Sequence, residues 1–567
     1  MKFQYITLLI ILLSIPGCKS VKNDKAKPAK GETDATLLQT WHQKDYKQDN
    51  IPGISLDKWY NENKSKSKTS IIVAILDTQI DSNHEDLKNQ LWSNPKEIAN
   101  NQIDDDGNGY IDDVHGWNFT SNKKEEYVVW GNFEYVRYIR EFAPLFKDKK
   151  ENEIRTEDLP KYKEYKRALD LFEKENTGYG RWLSSLDHSI TMFPIVKDTL
   201  KHYFPKEDYT YKQLDSLYKK HKSNDKTYRQ MRESNDKDLG ALIYYMMVNI
   251  RNNESTLEIL QDSRTEIDSI LNRNLNINFN DRKIIGDNPN VLEKGYGSPN
   301  ISITKKGFKN LQGHGTKIAG IIGADRKNNQ GIKGFSNHIK IMPLNISYSG
   351  DENDKDIAMA IYYAVDNGAK VINMSFGKEF SVHQQWVSAA FQYAEKHNVL
   401  LVHGSGNERF DNDQTPYYPS DNSYDGSPEF CNNFINVGSV SKRLDSSFVS
   451  AFSNYGKQNV DLFAPGEEIY TTAKNNEYGS DSGTSLAAPM VSGTAALIFS
   501  YFPNLSAREV KQILLDSGSS YTLEVVVPGT KDKKIPFSEL SKSGKVLNVY
   551  HAMKLAEKIS KNNNASL

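Results

Sequence analysis

The chain has 567 residues and a formal net charge of −1, from 72 basic and 73 acidic side chains. This length exceeds that of one ordinary hydrophobic core and predicts a large domain with a second module. The balanced charge gives no electrostatic case for binding nucleic acid. Two cysteines, Cys18 and Cys431, are too few for a disulfide framework or a cysteine-rich metal site.

The amino terminus carries a targeting signal. Met1 and Lys2 precede an apolar run over residues 6–15, which is short for a membrane-spanning helix and typical of a signal-peptide core. We therefore predict a signal peptide over residues 1–17. The following I-P-G-C resembles the end of a bacterial lipobox, with Cys18 as the lipid-modified residue. This interpretation predicts an exported lipoprotein of the cell envelope, anchored to a membrane, with residues 18–69 as a tether and N-terminal extension. The alternative is an ordinary secretory signal with an incidental cysteine.

Residues 70–77 form an unbroken run of β-branched and aliphatic side chains that ends in Asp77. Such a run predicts a strand buried on both faces of a parallel sheet. Sites in open α/β sheets lie at the carboxyl ends of strands, so Asp77 is placed to orient a histidine. The alternative is a turn or helix-capping aspartate.

An acidic segment downstream of this strand reads D-D-D-G-N-G-Y-I-D, with oxygen-bearing groups at alternate positions and a glycine for the bend. It follows the first nine positions of an EF-hand-type calcium loop, whose ligands here would be Asp104, Asp106, Asn108, the Tyr110 backbone carbonyl and Asp112. The twelfth position is His115 rather than glutamate, so a complete EF-hand is not predicted. We predict structural Ca²⁺, with an acidic turn that binds no ion as the alternative.

Residues 121–306 differ from their surroundings because they are rich in Lys, Glu, Tyr and Asn. Apolar residues recur with helical spacing over 162–175, 211–221 and 239–271. We predict a mainly helical inserted module whose charged faces are solvated. It divides a larger domain into a first part, residues 70–120, and a second part, residues 307–560, which a polar tail follows over residues 561–567.

The second part alternates strands and helices, which predicts a parallel sheet covered by helices on both faces. It begins with His314, between two glycines at the start of a small-residue helix. Two glycine-containing segments follow two of the predicted strands, and their residues are Ser375, Phe376, Gly377, Gly404, Ser405 and Gly406. The next residue is Asn407, whose amide can donate a hydrogen bond to an oxyanion.

Residues 482–496 run from a small-residue turn into an apolar helix, and Ser485 stands where that helix should begin. A simple interpretation makes Ser485 or Thr484 the helix N-cap. Gly483 allows a sharp turn, and the positive end of the helix faces any negative charge that develops beside the hydroxyl. These features favour an exposed nucleophile.

The segment G-T-S-L-A-A-P-M-V-S-G around Ser485 resembles the nucleophile segment of the subtilisin-like serine proteases, the subtilases. D-T-Q-I-D at Asp77 and Q-G-H-G-T at His314 resemble the other two motifs of that family, in the family's order Asp, His, Ser. Gln79 stands where the family usually has glycine, and Lys317 where a second histidine is common. The resemblance covers about residues 70–119 and 311–559, and it leaves out the insertion.

The resemblance implies a subtilisin-like α/β fold and a serine endopeptidase acting on proteins or peptides through an acyl-enzyme, with no cofactor required for the chemistry. Asp77, His314 and Ser485 would form the triad, and Asn407 would stabilise the oxyanion. The two glycine-containing segments would pair with an extended substrate and wall the primary specificity pocket, unless they are simply turns at strand ends. The alternative function is that of a catalytically inactive peptide-binding protein on the same scaffold.

Overall fold

The computed structural model describes residues 39–63, 69–302, 313–424 and 427–565. They form two compact units: a larger one, comprising the described residues up to Val129 and from Arg282 onward, and a smaller one, Trp130–Asp281. The predicted signal peptide and Cys18 lie outside the described residues, so lipid attachment stays a prediction. Within the described part of the chain, no helix has both the length and the apolar character needed to cross a membrane.

The larger unit is built on a seven-stranded sheet in the order β2-β3-β1-β4-β5-β6-β7, in which every neighbouring pair is parallel. The strands are β1 Ile71–Asp77, β2 Trp117–Asn118, β3 Ile339–Asn345, β4 Val371–Met374, β5 Leu400–Gly404, β6 Phe434–Val440 and β7 Leu462–Pro465. Successive strands β3 and β4 lie on opposite sides of β1. This change of direction opens a crevice at the carboxyl end of β1, where Asp77 lies.

Alternate side chains of β1 belong to two different hydrophobic clusters. Ile71, Val73 and Ile75 pack in a cluster that includes residues of five helices: Leu56–Glu62, His314–Gly323, Thr484–Tyr501, Ala507–Ser517 and Val549–Ala565. Ala74 and Leu76 point the other way and pack with residues of the helices Asp354–Asp366 and Gln384–Lys396. Helices therefore cover both faces of the sheet, which confirms the predicted fold class.

Smaller elements complete the larger unit. They are the helices Tyr46–Asp49 and Leu56–Glu62, the antiparallel hairpins β8 Ile469–Ala473 with β9 Glu477–Asp481 and β10 Glu524–Val526 with β11 Lys534–Pro536, and the 3-10 turns Trp41–Gln43, Asp281–Ile284 and Phe537–Glu539. The hairpin of β8 and β9 supports the helix that begins at His314. The Thr471 and Thr472 hydroxyls donate to the carbonyls of Lys317 and Thr316, at 2.8 and 2.7 Å.

The described elements of the smaller unit are all helical, which confirms the prediction of a mainly helical module. They are the α-helices Glu134–Phe146, Leu159–Lys201, Tyr211–His221, Tyr228–Glu233, Leu239–Arg251 and Leu257–Ser269, the π-helix Ile270–Asn274, and the 3-10 turns Glu151–Glu153 and Thr156–Asp158. The helical pattern over 239–271 is interrupted because Asn253 has a φ of 58° and Thr256 caps a new helix by accepting from the Ile259 N–H.

Both chain segments that lead to the smaller unit are held within the larger one. On the amino-terminal side, the Val129 carbonyl accepts from the Ser349 N–H at 3.0 Å. On the carboxyl-terminal side, the buried Arg282 guanidinium donates to both oxygens of Asp356, at 2.7 and 2.9 Å, and also pairs with Asp287. Breaking buried ion pairs of this kind is energetically costly, so they hold the chain in place at Arg282.

Candidate active site

The Asp77 carboxylate and the His314 imidazole lie in direct contact, although 237 positions separate them in the chain. Both carboxylate oxygens are 2.9 Å from His314 Nδ1, and one of them accepts from the Thr78 N–H at 2.6 Å. Asp77 is buried, whereas the His314 side chain is one-third exposed. An acceptor at Nδ1 fixes the tautomer with the proton on that nitrogen, so Nε2 keeps its lone pair.

Close backbone packing positions the start of the His314 helix. Gly313, its N-cap, has a φ of 104°, which favours glycine. The Gly315 N–H donates to the Thr78 hydroxyl at 2.9 Å, and a Cβ at Gly315 would overlap the Thr78 carbonyl. The Thr316 hydroxyl accepts from the Asp81 N–H at 2.9 Å. The glycine and threonine of the histidine motif therefore join this helix to the end of β1.

Ser485 is the second residue of the helix Thr484–Tyr501 and is half-buried. The N-cap of that helix is Gly483, in extended conformation, and no side chain caps the helix. The interpretation of Ser485 or Thr484 as an N-cap is therefore wrong. Among the described residues the Ser485 hydroxyl makes no hydrogen bond, and none joins it to His314. Such contacts are often long without substrate and shorten when it binds.

A chain of buried hydrogen bonds fixes the backbone at Ser485. The Ser492 hydroxyl donates to the Asn373 side-chain oxygen, the Asn373 side-chain amide to the Ser375 hydroxyl, and that hydroxyl to the Ser485 backbone carbonyl, each at 2.8 Å. Ser375 was predicted as a substrate-binding residue. The sequence analysis missed Asn373 and Ser492, although polar residues inside an apolar strand and an apolar helix are a signal for such a network.

The Asn407 side chain lies beside the same turn. Its carbonyl oxygen accepts from the Thr484 N–H at 2.9 Å and from the Thr484 hydroxyl at 3.2 Å, which directs its amide nitrogen away from Thr484. A methyl group at Gly483 would lie 2.8 Å from Ser485 Oγ and 3.7 Å from Asn407 Nδ2. These two atoms therefore border one small space, where the amide can stabilise negative charge next to the hydroxyl.

The two predicted substrate-binding segments both contact the serine turn, through the Ser375 hydroxyl at the Ser485 carbonyl and the Gly406 N–H at the Thr484 hydroxyl. They follow neighbouring strands, β4 and β5, at the carboxyl edge of the sheet. A Cβ at Gly404 would lie 3.0 Å from the Thr484 carbonyl oxygen and 3.3 Å from the Ser485 nitrogen, so this glycine allows the strand end to approach the serine turn. The structure thus brings both segments, Asn407 and Ser485 together.

Opposing effects act on the pKa of His314. Burial by itself lowers that pKa because it disfavours the imidazolium, and the nearby Lys317 ammonium also lowers it. The Asp77 carboxylate raises it through its charge and its hydrogen bond, and Asp481 adds to this effect. The net direction is upward from the ordinary value of 6.5.

The two positions that differ from the subtilase motifs fit the site without disturbing it. Gln79 is buried and is not among the described residues with positive φ, so this turn does not require a glycine. The Lys317 ammonium lies 2.5 Å from an Asp481 carboxylate oxygen, which compensates its charge.

Comparison with known proteins agrees with this arrangement. The chain matches the Subtilase family over residues 68–538, which is well over half of its length. The chain belongs to the subtilase family. The match includes the residues of the site and also the chain range of the helical unit.

Several proteases are similar to this subtilase in sequence. It is 35% identical to the cell wall-associated protease of Bacillus subtilis (strain 168) over 222 residues, which are 39% of this chain and 23% of that protein. It is 37% identical to the thermophilic serine proteinase of Bacillus sp. (strain AK1) over 191 residues, which are 34% of this chain and 43% of that protein. The matches thus span less than half the length of these two relatives.

Solved structures of proteases also align with this subtilase. One from Pseudoalteromonas arctica is 26% identical with a TM-score of 0.35, and the alignment covers 43% of this chain and 70% of that one.

The acidic loop of this subtilase gathers three carboxylates. Asp104 and Asp106 lie with Glu97, which the sequence analysis missed, and one oxygen of each lies within 4.8 Å of the others. Glu97 Oε2 is buried without a hydrogen-bond partner. The predicted ligand Asp112 is not in this group, and its two oxygens accept from the Asn101 and Gln102 N–H groups at 3.1 and 3.0 Å.

The other two predicted ligands have backbone contacts within the loop. The Asn108 side-chain oxygen accepts from the Tyr110 N–H at 2.8 Å, which shapes the turn. The orphaned Glu97 oxygen and the three converging carboxylates fit a hard cation such as Ca²⁺, which prefers oxygen ligands.

Proposed function

We propose that this subtilase is a serine endopeptidase that hydrolyses protein or peptide substrates through an Asp77–His314–Ser485 triad. The observation that carries the proposal is the hydrogen-bonded pair of Asp77 and His314 at the crevice. Ser485 and the Asn407 amide border one space in the same unit. A base with a fixed tautomer, a hydroxyl at a helix start and a directed amide donor are the groups that acyl transfer requires.

In the proposed reaction, His314 Nε2 takes the proton of the Ser485 hydroxyl while Oγ bonds to the scissile carbonyl carbon. The carbonyl oxygen becomes an oxyanion, to which the Asn407 amide and the Ser485 N–H donate. Asp77 holds the ring and stabilises the imidazolium. The C–N bond then breaks as Nε2–H protonates the leaving amine, which leaves an acyl-enzyme. In the second half of the reaction, His314 takes a proton from water, the water oxygen attacks the acyl carbon, and His314 returns the proton to Ser485 Oγ as the acyl group leaves.

A serine-directed fluorophosphonate tests the proposal directly. We expect the purified protein to form a stable adduct at Ser485, identified by peptide mass, and to cleave an internally quenched peptide. The matched control is Ser485→Ala, which should give neither result. A folded wild-type protein that binds peptides but neither reacts with the probe nor cleaves would instead be the inactive peptide-binding protein.

The pH dependence of kcat/KM should follow the His314 pKa. The imidazolium has no lone pair to accept the serine proton, so activity falls as pH drops through this pKa. An ordinary histidine would place the midpoint at roughly 6 to 7. Because Asp77 raises the His314 pKa, we expect a midpoint above the ordinary value of 6.5. Initial rates between pH 4 and 9 measure it, and a rate that stays flat down to pH 4 would exclude a neutral histidine base.

Two variants of the Lys317–Asp481 ion pair provide a control, because they should shift the His314 pKa in opposite directions. Lys317→Gln removes a charge that lowers the His314 pKa, so the acid limb should move to higher pH. Asp481→Asn removes a charge that raises this pKa, so the limb should move to lower pH. Both side chains are about one-third exposed, so high salt should reduce both shifts. If the acid limb moved in the same direction in both variants, it would reflect the titration of a group other than His314.

We also propose that the acidic loop binds structural Ca²⁺ through Glu97, Asp104 and Asp106. An ion that binds only the folded protein stabilises it by mass action, by about 2.7 kcal/mol at a concentration one hundred times Kd. Chelator should therefore lower the melting temperature, and added Ca²⁺ should restore it. Identical melting curves with chelator and with Ca²⁺ would leave only the acidic turn that binds no ion.

Two variants test which carboxylates bind the ion. Asp104→Asn should abolish the Ca²⁺-dependent difference in melting temperature. Asp112→Asn should keep that difference, because Asp112 lies outside the group of three converging carboxylates. A difference that survives in Asp104→Asn and disappears in Asp112→Asn would reverse the proposed ligand set.

A further inference from the structure

The crevice between the two substrate-binding segments contains an aromatic ring. β4 and β5 are neighbouring parallel strands, and Gly377 and Gly406 lie just beyond their carboxyl ends. A Cβ at Gly377 would overlap the Tyr417 ring, with the Tyr417 hydroxyl 2.9 Å away. A Cβ at Gly406 would lie 2.8 Å from the same ring edge. Tyr417 therefore fills the space between the two segments.

The backbone of Tyr417 is fixed on both sides. The next residue, Tyr418, exchanges two backbone hydrogen bonds with Lys378, at 2.9 and 2.8 Å, which joins it to the Gly377 segment. The Tyr417 N–H and carbonyl both contact the Tyr424 hydroxyl, at 3.1 and 3.2 Å. The Lys378 ammonium is itself buried and paired with Asp354 at 2.7 Å.

The surroundings of the ring are closely packed. The Glu408 carboxylate and the Tyr417 ring edge both border Gly406, and only 6% of the Tyr417 residue is exposed. That carboxylate accepts in turn from the Asn407 N–H at 2.7 Å and from the Asn454 amide at 3.2 Å. Moving the ring out of the crevice would expose its buried apolar surface and leave its space unfilled, which makes its displacement costly.

Both segments contact the serine turn, so a substrate residue whose carbonyl lay between Ser485 and Asn407 would have this crevice beside its side chain. Closely packed space cannot accept extra atoms without strain. We propose that Tyr417 is a specificity-determining residue, which limits the residue on the amino side of the scissile bond to a small side chain such as Ala, Ser or Gly. This inference rests on the proposed peptidase function and names its substrate class.

The test uses internally quenched peptides that are identical except for Ala, Leu or Phe before the scissile bond. We expect wild-type kcat/KM to be at least about tenfold higher for Ala than for Phe, since pocket discrimination between side chains of different size is typically of this order or larger. Tyr417→Gly should raise the Phe-to-Ala ratio by at least about tenfold. Tyr417→Phe keeps the ring without the hydroxyl, so it should retain the preference for Ala.

Fluorophosphonate labelling separates the possible failures, because the probe has no side chain for this crevice. A wild-type enzyme that is labelled but prefers Phe overturns the inference, even where Tyr417→Gly fails to fold. A labelled, active Tyr417→Gly variant with an unchanged ratio also overturns it. A folded wild-type protein with neither labelling nor cleavage overturns the proposed function, and the inference with it.

Discussion

Replacing Ser485 by Ala should lower kcat by about 10⁶, since loss of the nucleophile alone costs nearly as much as loss of a whole triad. The change removes one oxygen, and among the described residues the Ser485 hydroxyl has no hydrogen-bond partner. The melting temperature should therefore change little, by the equivalent of less than about 1 kcal/mol. Cleavage of the quenched peptide measures the first effect, and thermal unfolding measures the second.

Ser482→Ala is a matched control, three residues earlier in the same turn. Its hydroxyl accepts from the Glu468 N–H at 2.9 Å, so its loss should reduce stability by about 1 kcal/mol and leave catalysis intact. Turnover at the wild-type rate in purified Ser485→Ala would contradict the proposed mechanism. Equal loss of activity in both variants would indicate that the turn, rather than the hydroxyl, is what matters.

Replacing Asn407 by Ala should lower kcat by about 10²–10³ with little change in KM. The amide donates to an oxygen that becomes negatively charged only in the transition state, so the interaction contributes little to binding the ground state. Steady-state kinetics on a short peptide separates the two parameters. An effect confined to KM would assign Asn407 to substrate binding.

Asn407→Asp separates the two functions of this side chain. Asparagine also accepts from the Thr484 N–H, and aspartate keeps an acceptor there while losing the donor. We expect the melting temperature of Asn407→Asp to remain near wild type and its kcat to fall at least as far as in Asn407→Ala, since a carboxylate repels the oxyanion. Retention of kcat in this variant would show that only the contact to Thr484 is needed.

The sequence determined the strands and the motif residues, because both leave local patterns. The aliphatic run at residues 70–77 coincides with β1, Ile71–Asp77. Strands buried on both faces consist mainly of apolar residues, so a nearly continuous apolar run predicts them. The helical character of the insertion was likewise predicted from apolar spacing, whereas the break at Asn253 depends on one left-handed residue.

The motifs also identified residues that the structure brings together, although the pattern itself contains no distances. Asp77 and His314 form their contact only because β1 ends where the His314 helix begins. The sequence analysis expected the acidic loop to follow a nine-position ligand pattern. The structure instead directs Asp112 to backbone N–H groups and adds Glu97, seven positions before Asp104.

The amino-acid sequence by itself determined the family motifs, the order of the elements and the chemistry of the candidate catalytic side chains, since these depend on residue type and local spacing. Only the tertiary structure decided which groups share a site. The Ser492–Asn373–Ser375 chain and the Tyr417 ring between Gly377 and Gly406 join residues from separate elements. Contacts of this kind depend on how strands and helices pack, and packing leaves no periodic signal in one sequence.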